Sequence, residues 1–292
     1  MRHRNYNPMR ILLLVFALAA FCVPAFGQAA AIQPCEAAPA KLATSTPTKI
    51  GVRSSQTAID SSIPADEAVE KMLEPYSGKV RALSNVIGQL DGTLKKGDVG
   101  AGSLGQFVTD GVRAYAKTKT SKPIALTIMN AGGLRKNEIA AGDVRAADIF
   151  ELLPFENALV AVDVTGADLL KVLPALGRDA QAGLRIQYKW NDRDRPEVIS
   201  AKLLDENGQE HEIDPNKVYT ILTIDYLLRV AGGAYAVLKE AKSATPLNIT
   251  LRDAMMEYVK SETAAGRKLR SRIDDRYVQV GPGPKSPPEN PR

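Results

Sequence analysis

The heptapeptide MNAGGLR, residues 129–135, assembles side chains suited to holding an anion. The Asn130 amide can both donate and accept hydrogen bonds, and Gly132 and Gly133 permit a tight turn or a close backbone approach to a ligand. Arg135 then supplies a planar guanidinium fork matched to carboxylate or phosphate. Taken locally, the same residues also suit an ordinary turn followed by a surface arginine. Phe155, in the Pro-Phe step of LLPFENA, and Tyr226, in TIDYLLRVAGGAY ahead of Gly232 and Gly233, are aromatic residues at the ends of expected strands. Each can stack on a planar ring for roughly 1 kcal/mol. Phe155 equally suits a plug that closes a helix onto a sheet. Two aromatics and an arginine in such loops describe a recognition site better than any one of them does.

Bond-breaking chemistry has no comparable set of residues. A dinuclear hydrolytic centre draws several histidines and carboxylates to its ions, yet beyond residue 27 the chain has one histidine, His211, in the turn-like NGQEHEID. It is expected as a solvated loop residue with no orienting partner. A Cys-His pair would need Cys35 delivered from a linker. No G-x-S-x-G elbow, Walker loop or Gly-rich dinucleotide fingerprint occurs. No catalytic residue, metal site or cofactor is therefore expected in this chain.

The elements that must position the recognition residues follow from apolar spacing. PIALTIMN and LVAVDV have the continuous apolar character of buried strands, the first leading into Asn130. LRIQY, EVISAKLL, VYTILTI and a final YVQV supply further strands, with another near Leu83–Leu90. Leu104, Phe107, Val108, Val112 and Tyr115 fall on one helical face with Ser103 as a cap. Other helices are expected from Asp66 and Glu67 toward Ala82 across Pro75, over GADLLKVLPAL, around Tyr226–Glu240 and over Thr250–Thr263. Strands and helices that alternate without a strict repeat indicate an α+β fold with a mixed sheet.

The flanks differ from this folded stretch. In the first 27 residues Arg2, Arg4 and Arg10 are the only charges, ahead of the apolar run Ile11–Val23 and the small residues Ala25 and Gly27. That pattern predicts a cleaved signal peptide over 1–27, export to a periplasmic or extracellular space, and no stable membrane span afterwards. Its removal would leave 35 basic and 33 acidic residues, so the formal charge of +5 falls to +2. The remaining lysines are scattered, with no basic stripe interleaved with aromatics, and nucleic acid is not an expected partner. Residues 28–62 are rich in Ala, Pro, Ser and Thr and predict a flexible linker, with Cys35 unpaired in it; 281–292, GPGPKSPPENPR, predict a disordered tail. Residues 63–280 between them form the expected single domain.

Five segments in order resemble the C-terminal domain of the 5′-nucleotidase family, which includes periplasmic UDP-sugar hydrolases and ecto-5′-nucleotidases. They are SLGQFVTDGV (103–112), MNAGGLR (129–135), AGDV (141–144), LLPFENALVAVDVTGADLLKVL (152–173) and DYLLRVAGGAY (225–235). The likeness spans about residues 64 to 280. By motif, it implies a nucleotide site in which Asn130, Gly132, Gly133 and Arg135 meet base and phosphate or ribose, with Phe155 and Tyr226 sandwiching the base. Departures accompany it. The family's arginine ahead of the LGN helix is replaced by Asp98, the Asn of LGN by Gln106, and the acid of the GGDGY segment by Ala234. Losing the arginine and the acid implies about 1 to 3 kcal/mol less nucleotide affinity each. Family enzymes also carry a metallophosphatase domain before this one, where this sequence has the leader and linker. The implied role is nucleotide recognition beside a separately encoded metallophosphatase; a stand-alone small-molecule binding protein and a scaffold with a degenerate site are the alternatives.

Overall fold

The computed structural model describes residues 54–229, 232–270 and 274–285. The expected signal peptide, the linker up to residue 53 with Cys35, and the tail beyond residue 285 lie outside the described residues. The chain divides into two units, Met1–Ile63 and Pro64–Arg292. In the first, residues 54–63 are exposed, and the Ser62 N–H caps a turn on Asp60 Oδ1 at 2.9 Å. Among the described residues no helix is long and apolar enough to cross a membrane.

The second unit is the expected α+β fold with mixed sheets. It opens with helix α1 (Glu67–Ala82), capped by Asp66 and running through Pro75; none of its residues is buried. Strands β1 (Val86–Asp91) and β2 (Leu94–Lys95) lead to helix α2 (Gly102–Lys117). Next come β3 (Ile124–Met129), a 3-10 turn over Ala131–Gly133, β4 (Glu138–Ile139), β5 (Gly142–Arg145) and α3 (Ala146–Leu152). Strand β6 (Ala158–Thr165) runs into α4 (Gly166–Val172) and a 3-10 turn at Leu173–Gly177. After β7 (Ala180–Ala182), strands β8 (Leu184–Trp190) and β9 (Pro196–Leu204) form a hairpin. Then follow β10 (Glu210–His211), β11 (Val218–Ile224), α5 (Asp225–Arg229), a 3-10 turn at Gly233–Glu240, β12 (Ser243–Thr250), α6 (Leu251–Ala264), β13 (Leu269–Arg270) and β14 (Tyr277–Gln279).

The central sheet has the order β12-β6-β11-β3-β7. β11 runs parallel to β3 and antiparallel to β6. Its inner strands are covered on both faces, which explains their nearly unbroken apolar sequence: Leu126, Ile128, Leu159, Val162, Ile221 and Leu222 are wholly buried. Each contributes about 1.5–3 kcal/mol of apolar burial. A second sheet, β10-β9-β8-β14, a three-stranded β13-β1-β5 and the β2-β4 pair complete the unit.

Local chemistry departs from the sequence expectation in a few places. Ser103 does not cap α2. The helix starts after Ala101, which is buried and left-handed at φ 55°, and whose N–H donates to Arg178 O at 2.9 Å. The Ser103 hydroxyl instead accepts the Lys95 N–H at 2.8 Å, pinning β2 to the helix. AGDV is largely strand, because residues 142–145 pair with β1. The helices expected over 166–176 and 226–240 each end in a 3-10 turn; Pro174, in the first, lacks the N–H an α-helix needs.

Candidate functional site

Sheet topology brings three of the recognition segments to one end. β3 and β11 are parallel, with Leu222 opposite Thr127, so residues following Met129 and Ile224 leave the same edge. β6 is antiparallel to β11, with Leu159 opposite Ile224, so the residues preceding β6 enter there too. The turn after β3, the Phe155 loop before β6 and Tyr226 after β11 therefore share one rim. Asp225 closes it, its Oδ1 accepting the Ala158 N–H at 3.1 Å.

The glycine turn is held from below by a residue the sequence analysis did not single out. Asp179 Oδ1 accepts the Ala131 N–H at 2.8 Å, and its Oδ2 accepts the Tyr235 hydroxyl at 2.7 Å. The Tyr277 hydroxyl donates to the Asp179 carbonyl at 3.0 Å. Burial, and then the Asp179 charge, push the Tyr235 phenol well above its usual range, so it remains a neutral donor. Burial likewise raises the Tyr277 phenol. Within the turn, Gly133 N–H bonds to Asn130 O at 3.0 Å. The Asn130 amide folds beneath it: a Cβ on Gly133 would stand 3.3 Å from Asn130 Oδ1, and one on Gly132 3.5 Å from Nδ2. Asn130 Oδ1 is buried and accepts no hydrogen bond from the described residues.

Beside the Asp179 carboxylate, three cations gather around this turn. The Arg135 N–H is tied to Leu152 O at 2.9 Å, while its guanidinium is exposed, 3.4 Å from the Gly132 carbonyl. The neighbouring Lys136, by contrast, is neutralised by Asp148 at 2.9 Å and Glu151 at 2.8 Å. Lys96 Nζ donates to the Leu134 carbonyl at 2.7 Å. Burial first, then the charges of Arg135 and Arg178, hold the Lys96 ammonium below the ordinary lysine range. No ion pair to a described carboxylate neutralises Lys96, Arg135 or Arg178. Three cations against the single charge of Asp179 leave the turn in a region of net positive potential. Asp98 is exposed, and the cation that reaches the turn from this stretch is Lys96, two residues earlier.

Phe155 is not the core plug that its sequence context also allowed. It is 47% exposed, and Arg135 lies 6.0 Å from its ring centre, at the outer reach of a cation–π contact. Its loop is clamped by the buried Arg252, which donates to Pro154 O at 3.3 Å, pairs with Glu156, and covers the Phe150 ring at 4.1 Å. Tyr226 is 41% exposed on the same rim, and no ring contact joins it to Phe155. Ala234 is half-buried and brings no polar group to the rim.

His211 lies away from this rim, on the β10–β9 pair. It is strand rather than loop, and it has a partner that the sequence did not reveal: Asp205 Oδ2 meets its Nε2 at 3.0 Å. Asp205 also accepts the N–H groups of Asn207 and Gln209, each at 2.8 Å, which makes the pair part of an exposed turn. Among the described residues no group of three or more His, Cys, Asp or Glu side chains converges as metal ligands would.

The family described as 5′-nucleotidase, C-terminal domain, matches residues 82–240. Over 187 residues the chain is 24% identical to the trifunctional nucleotide phosphoesterase protein YfkN of Bacillus subtilis (strain 168), covering 61% of this chain and 12% of that protein. The solved structure of the 5′-nucleotidase precursor from Thermus thermophilus is similar at a TM-score of 0.61 and 23% identity, over 75% of this chain and 44% of that one. The NAD nucleotidase NadN of Haemophilus influenzae is similar at 0.55 and 19%, over 74% and 42%. At these identities the structural likeness is one of fold. The chain spans less than half the length of each of these three proteins.

Proposed function

Because the chain belongs to the 5′-nucleotidase C-terminal domain family, we propose that it recognises a nucleotide at the rim formed by the glycine turn, the Phe155 loop and Tyr226. The observation that carries this reading is the gathering of Lys96, Arg135 and Arg178, none of them ion-paired to a carboxylate among the described residues, beside an exposed aromatic on the same rim. A phosphate belongs with the cations, where a guanidinium fork can grip it. The base belongs against Phe155, with Tyr226 closing from the β11 side. Asn130 backs the turn, and Gly132 and Gly133 let the ligand approach the backbone. In this role the chain requires no cofactor of its own. It acts as an exported recognition subunit, and hydrolysis of the bound nucleotide falls to a separately encoded metallophosphatase.

Calorimetric titration of the full chain with AMP, UMP, UDP-glucose and adenosine tests the recognition step. Nucleotides should bind, adenosine more weakly, and Arg135→Ala should lose roughly 10- to 100-fold in affinity, as expected for a charge-assisted contact. Equal binding of adenosine and AMP, or an Arg135→Ala variant that binds like the parent, would defeat the assignment. Mixing the chain with candidate metallophosphatases, followed by size-exclusion and phosphate-release assays, tests the partner. Unchanged activity and no complex would count against it.

A further inference from the structure

Helix α1 buries none of its residues, yet its apolar side chains are gathered on one face. Val69, Met72, Leu73, Tyr76 and Val80 recur at helical spacing and are 44 to 65% exposed. Leu83, half-buried just past the helix, continues the stripe. The rest of the domain holds the helix at that end: Leu83 O accepts the Ala147 N–H at 2.8 Å, and Ser84 O accepts the Arg145 guanidinium at 2.9 Å. A lone helix of 16 residues is marginal in water, and Pro75 and Gly78 inside this one weaken it further. The described residues leave its apolar stripe open to solvent.

The stripe is complementary to itself in shape and in charge. Val69, Met72, Tyr76, Val80 and Leu83 are separated by three, four, four and three residues, the spacing of a two-helix seam, and the series reads the same in both directions. Two such helices laid antiparallel with Tyr76 against Tyr76 therefore set Met72 against Val80 and Val69 against Leu83, with Leu73 beside the seam. Charge is segregated by sign along the same segment. Asp66, Glu67, Glu70 and Glu74 outnumber Lys71 in its first half, while Lys79 and Arg81 are the charges of its second. No ion pair joins any of them to another described residue. Antiparallel packing brings the acidic half of one helix against the basic half of the other, with Glu70 and Arg81 on the same flank of the seam and within one position of facing each other. Parallel packing would set like charges against like.

We propose that α1 is a self-association element: two copies of this chain pair through antiparallel α1 helices about a two-fold axis that passes beside Tyr76. Such an interface is isologous, each stripe being both surface and counter-surface. The helix is about 24 Å long, so the contact lies at the small end of specific interfaces and the dimer dissociates on dilution. It uses no residue of the nucleotide rim and stands or falls independently of that reading.

The test is sedimentation equilibrium of the full chain from about 1 to about 300 µM, a span suited to a low-area interface. The parent should show a monomer–dimer equilibrium. Tyr76→Glu sets two carboxylates face to face at the axis and should leave only monomer in this range; because the Tyr76 ring is 65% exposed in the single chain, the urea midpoint of the monomer should not move. Arg81→Glu should weaken association about tenfold, two symmetry-related exposed pairs having been turned into repulsions. Adding Glu70→Arg to Arg81→Glu should restore it to within about threefold of the parent, a rescue that a merely structural role for either residue would not produce. A parent that stays monomeric throughout overturns the proposal, and hydrogen exchange of α1 then tells a bare stripe from one covered by residues 1–53 of the same chain. A dimer that survives Tyr76→Glu forms elsewhere and overturns it too. A double variant no tighter than Arg81→Glu refutes the antiparallel pairing.

Discussion

Asp179 should decide whether the glycine turn keeps its shape, and the consequence of removing it can be worked out from its contacts. Its two carboxylate oxygens accept the Ala131 N–H at 2.8 Å and the buried Tyr235 hydroxyl at 2.7 Å. Hydrogen bonds to a charged acceptor are worth about 1.5–3 kcal/mol each, and stranding a buried donor forfeits most of that. Asp179→Ala strands both and should destabilise by about 3–5 kcal/mol, a large share of the roughly 5–15 kcal/mol typical of a folded domain. Asp179→Asn keeps one acceptor for Ala131, and the Tyr235 hydroxyl can rotate to accept from the new amide, so the loss should fall to about 1 kcal/mol. Urea unfolding of Asp179→Ala, Asp179→Asn, Tyr235→Phe and the double variant Asp179→Ala/Tyr235→Phe measures the terms, and the cycle should show a coupling above about 1 kcal/mol. Nucleotide affinity should fall further in Asp179→Ala than in Tyr235→Phe, because only the former frees the turn. A stability loss below about 1 kcal/mol for Asp179→Ala, with no coupling to Tyr235, would refute the idea that this carboxylate holds the turn.

Other perturbations read out different parts of the molecule. Asp163 accepts from Ser243 at 2.6 Å, Thr220 at 2.7 Å and Lys122 at 2.9 Å, bonds that hold its carboxyl down to about 2. Its stabilisation is complete above the unfolded carboxyl value and is lost as pH falls through about 2; Asp163→Asn should therefore cost about 1–2 kcal/mol at pH 7 and converge with the parent near pH 2, measured by urea midpoints. Phe155→Ala should barely change stability, since the ring is half exposed, yet weaken nucleotides by about 1–3 kcal/mol in calorimetry. Arg276 is buried between Asp110 at 2.8 Å and Asp274 at 2.7 Å and also donates to Gln181 O at 3.1 Å. Arg276→Met should lose about 2–4 kcal/mol of unfolding free energy, tempered by the partial exposure of the two acids. Lys96 is held below the ordinary lysine range, so a bound anion should raise it again and draw in protons; binding enthalpies in alkaline buffers of different ionisation heat should reveal that uptake, absent at neutral pH.

What the sequence by itself determined is everything that repeats locally. The buried strands at residues 124–129, 158–165 and 218–224 and the helix over 102–117 carry their apolar period over enough residues to be unmistakable. The turn Asn130–Arg135 and its position after a strand were equally legible, because glycines and an arginine announce a backbone conformation and a charge without reference to the rest of the chain. Strands of two residues, such as 94–95 and 210–211, are too short to show any alternation, and the 243–250 strand hides behind Pro246, which an edge position tolerates. Ser103 was legible as a polar residue at a helix start, but its use as a tie to Lys95 depends on where a neighbouring strand falls. The character of the site belonged to the tertiary structure alone. Lys96, Arg178, Asp179 and Tyr235 are scattered over some 140 residues of sequence. They converge because strand order places the ends of β3, β6 and β11 on one rim. A pattern of about 2 or 3.6 residues states which way a side chain faces on its own element. Which elements become neighbours, and so which charges gather at one site, is fixed only when distant segments pair.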